Sequence, residues 1–478
     1  MIIIIIMMNK KNNISIHIFR RDLRLEDNTS LLLALQESKY VIPLFIFTPT
    51  QVSEKNKLKS SNSIQFMIES LYDLNSQINF LDKKLKLWTT YGDEIDVIDK
   101  IHKNIKVSAI YINDDYTPYS IKRDNRIQNY CDQQNIILNI STDILLTDTL
   151  DIAANNGNRY HNFGLFYKKA INISVRKPNY DLVDNFLIPK KLFKKWTIEN
   201  MDIYLLDNFY YVPNKNLAVN GGRENGLKIL ENNHKFKNYK TDKNNISIKT
   251  TRLSAHNKFG TISIREVYQK FNKNIEITKN LYWRDFYYYV SVHFHDKFFS
   301  YQHIFKNPVT KNIPKWVNNK KYFEAWKNGQ TGFPIVDAAM RELNTTGFMH
   351  NRGRLITSQF LIKDLLIDWK YGEKYFSKNL VDIDRIQNLG NWNWSASYGL
   401  DSSPYLRIFN PWSQSKTYDP DCEYIKYWIP ELSNIPAKDL HNWNKNYKKY
   451  DLNYPKPIVD HSIMRNKFIN FYKNYFKK

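Results

Sequence analysis

The chain has 478 residues, with 70 Lys and Arg against 47 Asp and Glu, which gives a formal net charge of +23. At 42% apolar and 24% charged residues it has a globular composition, which excludes the disordered and collagen-like classes. The 2 cysteines are too few for a disulfide framework or a multi-cysteine zinc site, so we expect a reducing compartment and no metal. The longest apolar stretch, residues 2–8, is too short for a bilayer span and lacks signal-peptide features. We therefore expect a soluble intracellular protein, in the cytoplasm or the nucleus, without membrane contact.

The positive charge has two explanations. Abundant Lys, Ile and Asn with scarce Gly and Pro are typical of an AT-rich coding sequence, so part of the charge can be compositional drift. A basic surface also attracts nucleic acid. The 15% of aromatic residues favours nucleic acid slightly, because aromatic rings stack on bases.

The first 140 residues alternate between two hydrophobic periods. Short β-branched runs at 14–19, 41–47, 85–90, 109–113 and 136–140 predict strands, and helical spacing at 28–36, 63–77, 94–102 and 119–131 predicts helices between them. This alternation predicts a doubly wound parallel sheet, a Rossmann-like α/β domain over residues 1–140, with ligand sites off the carboxyl ends of the strands. No Gly-x-Gly-x-x-Gly follows the first run, so an ordinary dinucleotide domain is not expected.

The rest of the chain is predicted to be a linker over residues 141–205 and an all-α domain over residues 206–478. Nine of the 11 tryptophans lie in the helical part, between Trp283 and Trp443. Packing in a large helical core is the default explanation for any one of them.

Four strings carry candidate chemistry. Residues 19–28 place three arginines and three acids after the first strand, as a salt-bridged turn or a site. Residues 250–254 place hydroxyls and an arginine at the start of a predicted helix. This pattern is explained either by a binding site for a diphosphate or by an ordinary Ser/Thr helix cap. Residues 349–354 and 382–394 put an arginine near two closely spaced carboxylates. The remaining string puts four side chains on one helical face at i, i+3, i+4 and i+7, a poor core stripe but a good surface for a planar ligand or a base: Asn280, Trp283, Arg284 and Tyr287.

Taken together, these strings resemble the photolyase/cryptochrome flavoproteins, and most of all class I cyclobutane pyrimidine dimer photolyases. The resemblance runs from residue 19 to about residue 459, and residues 331–340 and 409–411 also follow the pattern. It implies an N-terminal α/β domain, a C-terminal helical domain that binds FAD, and a monomer that acts on UV-damaged DNA. The implied reaction is light-driven electron transfer from reduced FAD, which splits the dimer and then recovers the electron.

The resemblance also assigns residues. Residues matching the FAD site are Tyr239, Thr250, Thr251, Arg252, Leu253, Ser254, Arg354, Asp382, Ile383, Asp384 and Asn388, with Asn388 opposite flavin N5. Residues matching the electron relay to the flavin are Trp392, Trp369 and Trp316. The substrate and DNA contacts are Asn280, Trp283, Arg284, Tyr287, Asn351 and Trp394, with Lys243, Arg352 and Arg407 as phosphate contacts.

One departure from the family pattern matters, and the antenna chromophore is not decided by the sequence. Asn280 stands where the family's repair enzymes carry Glu; an amide can still hydrogen-bond thymine, but it supplies neither a proton nor a full charge. The antenna segment at residues 114–119 resembles the deazaflavin and cryptochrome type more than the folate type. A folate, a deazaflavin and an empty antenna site all stay open.

Four alternatives remain. A (6-4) photolyase carries two adjacent histidines where this chain has His350 and Asn351, and a DASH-type cryptochrome usually has Tyr in place of Trp394. A signalling photoreceptor often adds a long C-terminal tail, for which little chain remains here. A nucleic-acid-binding scaffold without flavin would leave Arg354, Asp382 and Asp384 without a purpose.

Overall fold

The computed structural model describes residues 12–148, 150, 152–154, 156–187, 197–209, 212–301, 316–397 and 406–476. The apolar stretch at residues 2–8 lies outside these ranges. Within them no helix is long and apolar enough to cross a bilayer.

The N-terminal part is built on one parallel sheet of five strands in the order β3-β2-β1-β4-β5. The strands are β1 Asn12–Phe19, β2 Ser38–Phe47, β3 Trp88–Tyr91, β4 Ala109–Asn113 and β5 Ile137–Ser141. The predicted α/β fold is confirmed. The third strand starts later than predicted, because the Leu85 N–H donates to Asp82 O in a turn before it.

Helices cover both faces of the sheet, as the doubly wound prediction requires. Alternate residues of β1 point to opposite faces, so Ile16 and Ile18 belong to one buried cluster while Phe19 belongs to another. The helices of this half and of the connecting region are α1 Thr29–Glu37, α2 Pro49–Val52, α3 Ser61–Leu81, α4 Glu94–Ile105, α5 Pro118–Gln134, α6 Phe163–Ala170 and α7 Met201–Phe209. The domain limits at residues 140 and 205 stay a prediction.

The C-terminal part has helices joined by loops and contains no strand among its described residues. Its α-helices are α8 Arg223–Glu231, α9 Tyr239–Asp242, α10 Ser254–Phe259, α11 Ile264–Phe271, α12 Ile275–His293, α13 His295–Phe299, α14 Lys320–Lys327, α15 Pro334–Thr346, α16 Asn351–Lys363, α17 Trp369–Asn379, α18 Arg385–Ser395, α19 Pro411–Tyr418, α20 Glu423–Trp428, α21 Ala437–Leu440, α22 Trp443–Asn446 and α23 His461–Phe476. Short 3₁₀ turns cover Asn233–Phe236, Pro430–Leu432 and Tyr447–Lys449. One large apolar cluster joins most of these helices.

A buried network of ion pairs joins the sheet to the helical part. Asp143 accepts from Arg24 and from Arg265, each at 2.7 Å, and Arg265 also donates to Asp27 at 2.7 Å. Burial alone would raise the pKa of Asp143, but Arg24 and Arg265 outweigh it and hold that pKa well below its ordinary value. The two halves are therefore tied by charges that are almost fully buried and fully paired.

Candidate active site

A cavity of about 580 Å³ lies among the helices of the C-terminal part. Its volume falls within the range of about 300–1,000 Å³ that is usual for ligand sites. Side chains from α9, α12, α16, α17 and α18 and from the segment before α10 line it.

Most of the residues predicted for the site meet at this cavity. The lining includes every residue assigned to FAD and, from the other two groups, Lys243, Asn280, Trp283, Arg284, Tyr287, Asn351, Trp392, Trp394 and Arg407. Trp369, Trp316 and Arg352 do not line it. The individual roles of all these residues stay predictions.

The segment 250–254 approaches the cavity in an irregular conformation. Arg252 has a left-handed backbone with φ of 53°, and its Nη1 donates to Ala218 O at 3.1 Å. Ser254 begins α10 and is exposed, while Leu253 is buried beneath it. The segment therefore presents hydroxyls and backbone groups to the cavity, which suits an anionic ligand.

An arginine–aspartate pair stands at the cavity wall. Arg354 Nη2 donates to Asp382 Oδ2 at 2.8 Å, and Arg354 Nε donates to Met349 O at 2.9 Å. The other carboxylate oxygen, Asp382 Oδ1, is buried and has no hydrogen-bond partner among the described residues. A buried acceptor of this kind calls for a donor from a ligand or from water.

Asp384 is held by the N-terminal half. Its Oδ2 accepts from Arg21 Nη2 at 2.5 Å and from the Tyr288 hydroxyl at 2.6 Å, while its Oδ1 caps the N-terminus of α18. Burial alone would raise the pKa of Asp384, but Arg21 and Lys258 outweigh it and lower that pKa well below its ordinary value. The carboxylate is thus ionised and fixed beside the cavity. The sequence signal for Arg21 was present in the charged string at 19–28, but its partner lies 363 residues away.

Asn388 is oriented by α17. Its Nδ2 lies 3.1 Å from Glu373 Oε1 and 3.1 Å from Ser377 Oγ, and it donates to Glu373 O at 3.2 Å. Burial raises the pKa of Glu373. Because Nδ2 is engaged on the protein side, Oδ1 is the atom of Asn388 that is left to accept from an N–H in the cavity. Sequence reasoning missed Glu373, since no spacing links it to Asn388.

The predicted aromatic face of α12 exists, but its members are not equally exposed. The Trp283 ring stacks on Phe163 of α6, with centroids 3.6 Å apart and planes at 10°, so one indole face is already covered. The Tyr287 hydroxyl donates to Asn391 Oδ1 at 3.1 Å. Arg284 is 5% exposed and donates to Ile144 O, so its guanidinium links α12 to the segment after β5. Asn280 is exposed, with Nδ2 at 3.5 Å from the Tyr239 hydroxyl.

The three tryptophans predicted to form the relay differ in their exposure. Trp392 lines the cavity and is 2% exposed, Trp369 is fully buried, and Trp316 is half-buried against Phe471 with centroids 4.8 Å apart. The chain next to Trp316 is attached to the segment before α17, because the N–H of residue 317 donates to Leu366 O at 2.9 Å. Trp326, which sequence reasoning assigned to packing, also lies near Trp392, edge-on with centroids 6.4 Å apart.

The three predicted phosphate contacts differ in their surroundings. Lys243 lines the cavity and pairs with Glu276. Arg352 lies outside the lining; its guanidinium stacks 3.9 Å above the Tyr418 ring and donates to Asn244 Oδ1 at 2.6 Å. Arg407 is exposed at the cavity rim.

The carboxyl ends of β1 and β4, where an antenna chromophore was considered, are filled with ion pairs. Arg20 pairs with Asp124 at 2.9 Å, and Arg21 pairs with Asp115 at 3.2 Å. Burial raises the pKa of Asp114 to about 6. A cleft of about 650 Å³ beside Tyr116 separates α5 from α12 and α13. The choice among folate, deazaflavin and an empty site stays open.

The donor set of the central cavity fits FAD. It combines hydroxyls for a diphosphate, an arginine–aspartate pair, an oriented amide and a large aromatic wall, and it includes a buried carboxylate oxygen that needs a donor. The described residues contain no group of three metal-ligating side chains.

An α/β domain joined to a helical cofactor domain with this cavity defines a class of flavoprotein, and comparison with known proteins identifies the family. Residues 15–179 match the family model described as DNA photolyase, and residues 277–474 match the FAD-binding domain of DNA photolyase. The chain belongs to the DNA photolyase family.

Relatives match over nearly the full length. A deoxyribodipyrimidine photo-lyase of Buchnera aphidicola subsp. Acyrthosiphon pisum is 36% identical, with 95% of this chain and 96% of that protein covered. The crystal structure of an archaeal photolyase from Sulfolobus tokodaii, with two FAD molecules, aligns with a TM-score of 0.84 at 37% identity, covering 96% of this chain and 100% of the other. A cryptochrome from Synechocystis sp. PCC6803 aligns with a TM-score of 0.83 at 27% identity, covering 96% and 99%. Because a cryptochrome shares the fold this closely, the choice between repair and signalling depends on the site.

Proposed function

We propose that this protein repairs UV-damaged DNA by splitting cyclobutane pyrimidine dimers in a light-dependent reaction. One observation carries the proposal: a single cavity brings together the residues assigned to FAD and the indoles of Trp283 and Trp394 assigned to the dimer. A photoreceptor needs the first set only. The second set adds stacking surfaces for an extruded base.

Reduced FAD, when bound, supplies the photoexcited electron that opens the cyclobutane ring and accepts it back. The chain's own contribution is to bind and orient. Thr250, Thr251 and Ser254 offer hydroxyls to the diphosphate, and Arg354 with Asp382 offers a donor and an acceptor to the ring system. Asn388 Oδ1 would accept an N–H from the flavin edge, which would favour the protonated, reduced form.

The substrate half of the cavity suits a flipped lesion. Phe163 stiffens the Trp283 indole by stacking on one of its faces, so the other face is a preorganised platform. A dimer is already poorly stacked in the duplex, so its extrusion costs less than that of a normal base. Asn280 and Asn351 are exposed amides that can read the polar edges of the bases.

The relay tryptophans serve activation rather than repair. Indole is readily oxidised, and the series Trp392, Trp369, Trp316 leads from the cavity towards the half-buried end at Trp316. We assign these residues to the photoreduction of oxidised FAD. The protein is expected to work as a monomer on damaged DNA.

The test combines a spectrum with a repair assay. The purified protein is expected to show flavin absorbance and to remove dimers from UV-irradiated DNA under blue light but not in the dark. The Trp283→Ala variant is expected to keep the flavin and to lose affinity for damaged DNA. Absence of flavin would refute the whole proposal, while flavin without light-dependent repair would favour the photoreceptor.

A further inference from the structure

A second groove, which we call the C-terminal groove, lies beside the rim of the cavity. It has a volume of about 280 Å³ and separates the segment 406–408 from the last helix, α23. Its lining is Leu406, Ile408, Arg465, Ile469, Tyr472 and Lys473. Arg407, between the two apolar residues of the first wall, lines the main cavity instead.

Both walls of the C-terminal groove are anchored. The buried Lys363 Nζ donates to Arg407 O at 2.5 Å and lies 5.7 Å from the Phe468 ring of α23, so one amine contacts both walls. His461 Nδ1 at the start of α23 lies 2.6 Å from Asp364 Oδ1. A groove fixed in this way needs little ordering when it binds a ligand.

The cations along the groove are uncompensated. Arg465 and Lys473 on the groove, and Arg407 on the cavity side of its first wall, are all exposed, and no ion pair in the described part of the chain includes any of them. Some other surface cations have acidic partners, such as Lys103 with Asp99 at 2.7 Å, whereas Lys467 of the same helix has none in the described part of the chain, so the groove is distinguished by the position of its cations beside apolar side chains. The groove therefore presents a positive edge above an apolar floor, a composition that suits a polyanion with a partly apolar body.

We propose that the C-terminal groove binds the backbone phosphates of the DNA strand that flanks the lesion. This inference rests on the proposed function, and it gives α23 a role in substrate binding. Continuity favours DNA over a separate acidic partner, because Arg407 belongs to the rim of the lesion cavity and its two neighbours form the wall of the groove. Arg465 and Lys473 are eight positions apart on α23, or roughly 12 Å, which corresponds to about three phosphates of one strand.

The experiment compares single neutralised variants on two substrates. Arg465→Gln and Lys473→Gln are measured beside Lys467→Gln, an exposed cation on the opposite side of the same helix. The substrates are a duplex of about 30 base pairs with a central dimer, and a short single strand with the dimer and one nucleotide on each side. Affinity is measured across a salt series, because each phosphate contact contributes about 0.9 to the slope of log K against log salt.

For the long duplex, Arg465→Gln and Lys473→Gln are each expected to lower that slope by about 0.9 and to weaken binding several-fold at about 0.1 M salt, whereas Lys467→Gln leaves the slope nearly unchanged. All three variants are expected to bind the short strand like the parent. Equal loss in all three variants, or no change in slope, overturns the inference while the proposed function stands. If the parent fails to bind even the short damaged strand, the proposed function itself fails.

Discussion

Gly372 gives the sharpest test of how the cavity wall is built. It lies inside α17, where glycine costs up to about 1 kcal/mol relative to alanine. A Cβ at this position would lie 2.1 Å from Trp392 Cη2 and 2.6 Å from Leu361 Cδ2. A normal carbon contact is about 3.5 Å, so Gly372→Ala forces the Trp392 ring to move by about 1.4 Å or α17 to shift.

We expect Gly372→Ala to lower the free energy of unfolding by about 1–3 kcal/mol, because overpacking outweighs the gain in helix propensity. Photoreduction of bound FAD should slow as well, since Trp392 is displaced from the cavity wall. The control is Gly164→Ala in the first turn of α6, where the new Cβ lies 3.2 Å from Oδ1 of the N-cap residue Asn162 and meets no ring or backbone atom within 4 Å. Since the Asn162 oxygen caps α6 and has to give way slightly, that variant is expected to change the free energy of unfolding by less than about 1 kcal/mol. Denaturant unfolding and flavin bleaching under blue light measure both effects; parental values for Gly372→Ala would refute the packing argument.

Three further predictions follow, two from the site and one from Asp285 of α12, which is fully buried and accepts from the Leu146 N–H at 3.0 Å. Asn280→Glu should raise or preserve dimer repair, because a carboxylate replaces an amide at an exposed rim position; a large loss of repair would contradict this role. Trp369→Phe should block photoreduction of oxidised FAD yet leave repair by chemically reduced enzyme intact, while Trp326→Phe, which removes an equally buried indole, should retain photoreduction. Asp285→Asn should flatten the pH dependence of stability. Burial raises the pKa of Asp285 to about 7 from about 3.9 in the unfolded chain, so stability falls as pH rises between these values. The free energy of unfolding is measured at several pH values. If the variant keeps the parent's dependence of this free energy on pH, Asp285 is not the group responsible.

The sequence predicted the features that leave a local periodic signal. Strands β1 and β4 are rich in isoleucine and mostly buried, which gave each a strand signal, and the limits 109–113 were predicted correctly for β4. The face of α12 followed from spacing alone. The resemblance then named residues that the fold gathers around one cavity, although they come from positions as distant as Tyr239 and Arg407.

Contacts between distant segments left no such signal. The pairing of Arg21 with Asp384 and the stacking of Phe163 on Trp283 depend on how two halves of the chain dock, and no periodicity encodes that. In the sequence, Gly372 is only an unfavourable residue for a helix. The structure shows that the Trp392 ring packs against it and leaves no room for a Cβ. These residues position the site rather than form it, which explains why motif reasoning passed over them.

The distribution of charge decides which measurement can detect the C-terminal groove. Buried arginines such as Arg24 and Arg265 are matched by Asp27 and Asp143 in a closed network, so they contribute little to the outer field. Most of the +23 must therefore reside on exposed cations spread over the surface. Removing one of them scarcely changes long-range attraction, and association rates alone would miss it. A specific phosphate contact shows instead as a change in salt slope that depends on flanking DNA, and only that pattern separates a built groove from compositional lysine enrichment.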